Sequence, residues 1–128
     1  MKVFLDANIL IRLGHREPAT EQAVAMLYAL PRLELYTADL IRLEVIPKAT
    51  FHQKRDEVTF YQMWFPRAIH VPITPVILAR AEAIAIQYGL SALDAAHCAV
   101  AESVGATLLT QEKLDRPLHR VPLVKYLC

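Results

Sequence analysis

Residues 2–11, KVFLDANILI, place one acidic side chain between two apolar runs. The run at 3–5 predicts a short buried β-strand, and the run at 9–11 predicts the start of an apolar helix. Asp6 therefore stands at the carboxyl end of the predicted strand, where little solvent can reach it. A carboxylate buried without a partner is costly. The sequence thus raises the question of what pairs with Asp6.

Beyond this opening, short apolar runs alternate with helical patterns along the whole chain. Strands are predicted at 3–5, 34–36, 71–73, 106–109 and 122–124, and helices at 21–30, 40–46 (ending near Pro47), 53–65, 75–88 and 92–104. Strands that alternate with helices imply a parallel sheet covered on both sides. We therefore expect an α/β fold, a three-layer α/β/α sandwich with a central parallel sheet of four to five strands, forming a single domain over residues 1–128.

Composition narrows the class of protein. The 128 residues are 55% hydrophobic with a net charge of +1, so no overall basic field indicates nucleic acid. The surplus of apolar residues fits either a partner-binding surface or a well-filled core. No run of about 18 apolar residues and no secretory signal is present, so we expect a cytoplasmic protein that does not enter membranes. Cys98 and Cys128 lack metal-ligand spacing and are expected to be free thiols.

Three further acids occupy positions from which they could meet Asp6. Glu44 lies on a predicted helix, Asp94 lies in the first turn of another, and Glu112 follows the fourth predicted strand. Each has a simpler interpretation: Glu44 could pair with Lys48 at i+4, Asp94 could cap its helix, and Glu112 could be a surface acid. In parallel sheets, however, ligands bind beyond the carboxyl ends of the strands. This placement favours a shared site.

A cluster of carboxylates would need a cation. Two such charges about 4 Å apart repel by roughly 4 kcal/mol at an effective dielectric of about 20. Oxygen ligands without a cysteine or histidine cluster indicate Mg²⁺ or Mn²⁺ rather than Zn²⁺. An ion of this kind suits in-line attack of water on a phosphodiester. Asn8 could hold a metal-bound water or orient Asp6 as a neutral group.

Taken in order, these motifs resemble those of the PIN-domain ribonucleases, especially the VapC-like toxin subunits of type II toxin–antitoxin systems. The opening VFLDANILI, the helical Glu44, and LSALDAAHCAVA followed by GATLLTQE carry the resemblance, which covers essentially the whole chain. It implies that Asp6, Glu44 and Asp94 bind the metal, with Asn8 and Thr110 as supporting polar groups. It also implies Mg²⁺- or Mn²⁺-dependent cleavage of RNA, a cognate antitoxin partner and a homodimer.

One position departs from the family pattern. The last residue of Thr-x-Asp is Glu112 here, which could complete the metal site or point away from it, and Asp115 is an alternative. This change also allows a different class of protein, a catalytically weakened PIN-like domain that binds RNA or protein. His97 is open to two interpretations, as a member of the site or as a histidine packed inside its helix.

Other enzyme classes fit less well. A haloacid-dehalogenase-type site needs a second acid two residues after the first, where this chain has Asn8. A zinc site of Asp94, His97 and Cys98 has helical spacing but no evident fourth ligand. Three glycines cannot form a glycine-rich phosphate loop.

Overall fold

The computed structural model of the protein describes residues 1–127. The expectation for the Cys128 thiol falls outside the described residues. Five strands and six α-helices form in the described part of the chain. In chain order they are β1 Lys2–Leu5, α1 Ala7–Gly14, α2 Pro18–Tyr28, β2 Glu34–Thr37, α3 Asp39–Phe51, α4 Arg55–Trp64, β3 Ile69–His70, α5 Pro75–Tyr88, α6 Ala92–Ser103, β4 Thr107–Thr110 and β5 Val124–Tyr126. Short 3₁₀ turns span Phe65–Arg67 and Pro117–Arg120.

All five strands are parallel, in the order β3-β2-β1-β4-β5. The central strand β1 pairs Val3 with Leu35 of β2 and with Thr107 of β4. Residues 3–5 are fully buried, as expected for a strand covered on both faces. Helices α1 to α4 pack against one another, and α5 packs against α6. The predicted α/β sandwich with a central parallel sheet is confirmed.

Helix boundaries follow local chemistry where a cap is present. The Thr74 hydroxyl accepts a hydrogen bond from the Ile77 N–H at 3.2 Å, directly before the Pro75 that begins α5. Gly89 ends that helix with a φ of +67°, a left-handed conformation that suits glycine. Both limits of the predicted helix 75–88 are therefore confirmed.

Helix α3 differs from its prediction, because it continues through Pro47 to Phe51 instead of ending near the proline. Proline has no N–H to donate to the carbonyl four residues earlier. That carbonyl belongs to Leu43, whose side chain is strongly exposed, so water can satisfy it. The helix continues because Val45 and Ala49, on either side of Pro47, remain buried.

The edge strands are also displaced from their predicted positions. β3 covers Ile69–His70 rather than 71–73, and β5 covers Val124–Tyr126 rather than 122–124. Their registers are set by the neighbouring strand, where Tyr36 pairs with Ile69 and Leu108 pairs with Val124. Apolar content alone did not reveal this pairing.

Within residues 1–127, no single helix is long and apolar enough to cross a membrane. Helices α5 and α6 taken together have the length and apolar composition of a membrane span, but the chain bends by 118° between them. Residues Ala95–Ala101 of α6 are all buried within the protein.

Candidate active site at the carboxyl ends of the central strands

The site lies where the strand order reverses. From β1 the sheet extends through β2 to β3 on one side, and from β4 to β5 on the other. The crevice beyond the carboxyl ends of two such diverging strands is the usual ligand site of open parallel sheets. Asp6 directly follows β1, and Thr110 ends β4. The fold therefore brings these two residues together from opposite ends of the chain.

Asp6 is 7% exposed and hydrogen-bonded through both carboxylate oxygens. Its Oδ1 accepts from the Ala7 N–H at 2.8 Å, which caps helix α1, and its Oδ2 accepts from the Thr110 hydroxyl at 2.8 Å. Among the described residues, Thr110 is thus the side-chain partner of Asp6. A carboxylate offers about four lone-pair positions, so two hydrogen bonds leave lone pairs for a further ligand.

A polar network fixes Thr110 in turn. Its hydroxyl oxygen accepts from the Asn8 Nδ2 at 3.0 Å and from the Glu112 N–H at 3.0 Å, while its proton goes to Asp6. The Asn8 Oδ1 accepts from the Gln111 N–H at 3.2 Å. Asn8 therefore orients Asp6 through Thr110 and joins the ends of β1 and β4.

Glu44 reaches this region from α3. Its Oε1 lies 2.5 Å from the Nε2 of His97 on α6, so the pair joins helices on the two sides of the sheet. Among the described residues, Lys48 forms no salt bridge, and the pairing of Glu44 with Lys48 that the helical spacing suggested is wrong. Glu44 pairs with His97 rather than with Lys48 because His97 is nearly fully buried and holds its ring nitrogen at a fixed position.

The pKa values of Asp6 and Asp94 are both raised, by burial and in part by the negative charges of neighbouring acids. Burial raises the pKa of Asp6, and the negative charge of Glu44 raises it further, against the hydrogen bond from Thr110. Burial also raises the pKa of Asp94, followed by the charges of Asp6 and Glu112. The charge of Asp6 therefore interacts with those of Glu44 and Asp94, and Asp94 also interacts with Glu112.

Asp94 lies in the first turn of α6, as its simpler interpretation requires, but the capping residue is Ser91. The backbone N–H of Asp94 donates to the Ser91 hydroxyl at 3.4 Å, which caps α6, so the Asp94 side chain is placed by the first turn of that helix. The capping bond uses the N–H of Asp94 rather than its side chain, and burial raises the pKa of the Asp94 carboxyl against the opposing effect of a hydrogen bond with the Ser91 side chain.

Glu112 is half-buried, and Arg116 approaches its Oε1 at 3.8 Å. Asp115, the alternative acid, is exposed and does not contribute to the field at Asp94. Glu112 is therefore the better placed of the two for the fourth acidic position.

The donor set fits a hard cation. Among residues 1–127, no three His, Cys, Asp or Glu side chains lie close enough together to hold a metal as they stand, and this includes the zinc set of Asp94, His97 and Cys98. Mg²⁺ does not require such a cage, because it binds one or two carboxylates and keeps several waters. Burial raises the pKa of the Cys98 thiol to about 12, which makes it a poor ligand.

Sequence reasoning missed Gln111, which is 7% exposed beside the site. Its Oε1 accepts from Arg12 at 3.1 Å and from the Thr20 hydroxyl at 3.2 Å, so it ties α1 and α2 to the end of β4. The available signal was its position, because Gln111 directly follows a buried strand that ends at the switch point.

Comparison with known proteins gives a consistent set of similarities. The family model of the PIN domain matches residues 3–121. Ribonuclease VapC3 of Pyrobaculum aerophilum is 34% identical over 126 residues, covering 92% of each chain.

Solved structures show the same fold at lower identity. VapBC2 from Rickettsia felis, bound to a DNA fragment from its promoter, superposes with a TM-score of 0.78 at 14% identity over 98% of each chain. A toxin–antitoxin complex from Klebsiella pneumoniae gives a TM-score of 0.73 at 22% identity, covering 96% of this chain and 95% of the other. VapBC-1 from nontypeable Haemophilus influenzae gives 0.76 at 19% identity, over 98% and 96%.

Proposed function

The chain belongs to the PIN domain family, and from this premise we propose that it is a metal-dependent endoribonuclease, the toxin of a toxin–antitoxin pair. In this proposal, one PIN-like domain hydrolyses RNA phosphodiester bonds with activated water. The observation that carries it is the buried Asp6, held by Thr110 at the switch point of the sheet, where its charge interacts with those of Glu44 and Asp94.

The cofactor in this proposal is Mg²⁺ or Mn²⁺, held by Asp6 and Asp94, with Glu44 and Glu112 binding directly or through water. When bound, the ion supplies the positive charge that activates water and offsets charge on the phosphate. Asn8 and Thr110 keep Asp6 in place, and Glu44, oriented by His97, accepts a proton from the attacking water.

A cognate antitoxin, a homodimer and a cytoplasmic location complete the proposal. The antitoxin is supported by the similarity to a ribonuclease VapC and by the fold shared with chains of VapBC and toxin–antitoxin complexes. The dimer is checked by size-exclusion chromatography with light scattering, where a clean monomer at micromolar concentration contradicts it.

The decisive experiment compares the Asp6→Asn variant with the wild-type protein. Asparagine can keep the cap of α1 through its Oδ1, but its Nδ2 cannot accept from the Thr110 hydroxyl, and it has no charge for the cation. We expect Asp6→Asn to lose RNA cleavage while keeping a cooperative melt. We also expect Mn²⁺ to raise the melting temperature of the wild-type protein alone, because binding to the folded state at about 100 times the Kd adds about 2.7 kcal/mol.

Asp115→Asn is the matched control, since it removes the same charge from the exposed alternative acid. It is expected to cleave RNA at the wild-type rate. Full cleavage by Asp6→Asn contradicts the mechanism. Binding of RNA by the wild-type protein without cleavage in Mn²⁺ or Mg²⁺ favours the catalytically weakened binding module instead.

A further inference from the structure

A second concave feature adjoins the acidic site. A cleft of about 170 Å³ lies between α1, α3 and α4, with Ile11, Val45 and Ala49 among its apolar lining residues. Glu44 also lines this cleft, so the cleft and the acidic site share one side chain. The cleft is smaller than the roughly 300–1,000 Å³ pockets that enclose whole small molecules, so it fits one part of an extended ligand.

On one wall of the cleft, the polar side chains are paired with one another. The carboxylate of Glu57 lies 3.0 Å from His15 Nε2 and accepts from the Tyr61 hydroxyl at 3.5 Å. Burial, followed by the charge of Glu57, raises the pKa of Tyr61 to about 12, so its hydroxyl stays protonated and donates. The negative charge of Glu57 is thus engaged within the wall.

The other side of the cleft is cationic. Lys48 and Lys54 line it together with His52, and neither lysine forms a salt bridge within the part of the chain that the structure describes. Glu44, the acid nearest to Lys48 along α3, is bound to His97 instead. Two lysines without acidic partners therefore face one cleft beside the acids of the candidate site. An anionic group bound in the cleft would reduce the repulsion between the two positive charges.

We propose that this cleft binds the RNA backbone beside the bond that is cut, with the neighbouring phosphate held by Lys48 and Lys54. The inference rests on the proposed ribonuclease function and extends it to a subsite. Four helical residues rise by about 6 Å, so Lys48 lies one turn of α3 beyond Glu44. A strand with one phosphate at the acids can thus continue to Lys48 along the same helix. An acidic peptide has no comparable reason to pass Glu44, and it is an outcome of the test.

The experiment measures binding of a labelled single-stranded RNA by fluorescence anisotropy in chelator, where no metal supports cleavage, over a series of salt concentrations. Each phosphate contact to a single strand contributes about −0.7 to the slope of log K against log salt. Lys48→Gln and Lys54→Gln are each expected to reduce the magnitude of this slope by about 0.7, and the double variant by about 1.4. Lys48→Arg, which keeps the charge, is expected to retain the wild-type slope.

Lys2→Gln is the matched control. Lys2 begins β1 and therefore lies at the amino end of the sheet, opposite the acids, where it donates to the Val104 carbonyl. The control removes the same charge but is expected to leave the slope unchanged.

Three results would overturn the subsite. The first is that Lys48→Gln and Lys54→Gln give the same salt slope as Lys2→Gln while the protein still cleaves RNA. This result leaves the proposed function standing. The second is that poly-glutamate displaces RNA as well as unlabelled RNA does, which assigns the cleft to an acidic protein partner. The third is that the wild-type protein neither binds nor cleaves RNA, in which case the proposed function fails with the subsite.

Discussion

His97 shows how one side chain can serve two purposes at the residue scale. It is 2% exposed, and its ring centroid lies 5.8 Å from that of Phe4, as expected for a histidine packed in the core. Its Nε2 nevertheless contacts Glu44, whereas its buried Nδ1 has no hydrogen-bond partner among the described residues. His97 is therefore packed in the core, as one interpretation expected, and it also contacts Glu44, one of the residues proposed for the site. The sequence could not decide between the two interpretations, because the contact joins residues 53 positions apart.

Replacement of His97 separates the two purposes. Glutamine can place an amide nitrogen close to the position of Nε2, whereas leucine fills the space without a donor. Because groups that orient metal ligands typically contribute about 10- to 100-fold to affinity, we expect His97→Leu to weaken Mn²⁺ binding by that factor. We expect His97→Gln to remain close to wild type. Isothermal titration with Mn²⁺ measures the affinity.

The melting temperature in chelator provides the control for His97. His97→Leu removes a buried nitrogen that lacks a partner and also the contact of Nε2 with Glu44, whose carboxylate stays partly exposed to water. Its stability should therefore fall by no more than about 1 kcal/mol. A purely structural histidine would give the reverse pattern, with a larger loss of stability in His97→Leu and an unchanged Mn²⁺ affinity in both variants.

At the scale of elements, the sequence predicted the limits of a helix well where capping residues set them, and the limits of strands poorly where pairing with a neighbouring strand sets them. Helix α5 has both predicted limits, because Thr74 and Gly89 act within a few residues of each end. The edge strands are shifted by about two residues, because β2 and β4 set their registers. Helix α3 passes Pro47 because packing on either side outweighs one lost hydrogen bond.

The contact between α1 and α4 gives an element-scale prediction at Gly14. A Cβ at this last residue of α1 would lie 2.7 Å from the Tyr61 hydroxyl oxygen and 3.0 Å from the ring carbon that carries it. Alanine gains up to about 1 kcal/mol of helix propensity, but overpacking typically costs about 1–3 kcal/mol. We expect Gly14→Ala to lower the free energy of unfolding by about 1 kcal/mol in urea denaturation.

A second substitution tests the cause of that loss. Tyr61→Phe removes the atom closest to the added methyl group, so the double variant should recover part of the stability that Gly14→Ala loses, relative to Tyr61→Phe alone. A stabilised Gly14→Ala protein would show that Tyr61 moves aside without cost.

At the scale of the whole molecule, the switch point explains why the position of the candidate site could be predicted. A parallel sheet with Asp6 after its first strand and Thr110 at the end of a later strand places both at the same edge. The sequence could not reveal which acids are engaged. Glu44 is taken by His97 and Glu112 is approached by Arg116, and both contacts depend on how side chains pack.

The concentration of acids at one edge also predicts how the stability of the whole protein depends on pH. The pKa values of Asp6 and Asp94 are raised above 3.8 in the folded protein, mainly by burial. The folded state therefore binds these protons more tightly than the unfolded state does. In chelator, the stability that protonation supplies is complete below pH 3.8 and is lost as the pH rises through the raised pKa values.

Bound Mn²⁺ should oppose this loss, because only deprotonated carboxylates bind the ion. We therefore expect the melting temperatures with and without Mn²⁺ to diverge as the pH rises above 3.8. The measurement is a series of thermal melts across that range, with the double variant Asp6→Asn and Asp94→Asn as the reference, so that the titration of all other groups cancels. In the reference protein, the loss of stability with rising pH in chelator should be smaller, and so should the rise in melting temperature that Mn²⁺ causes. Parallel curves for wild type and reference would mean that the buried charge at this edge neither destabilises the metal-free fold nor binds the ion.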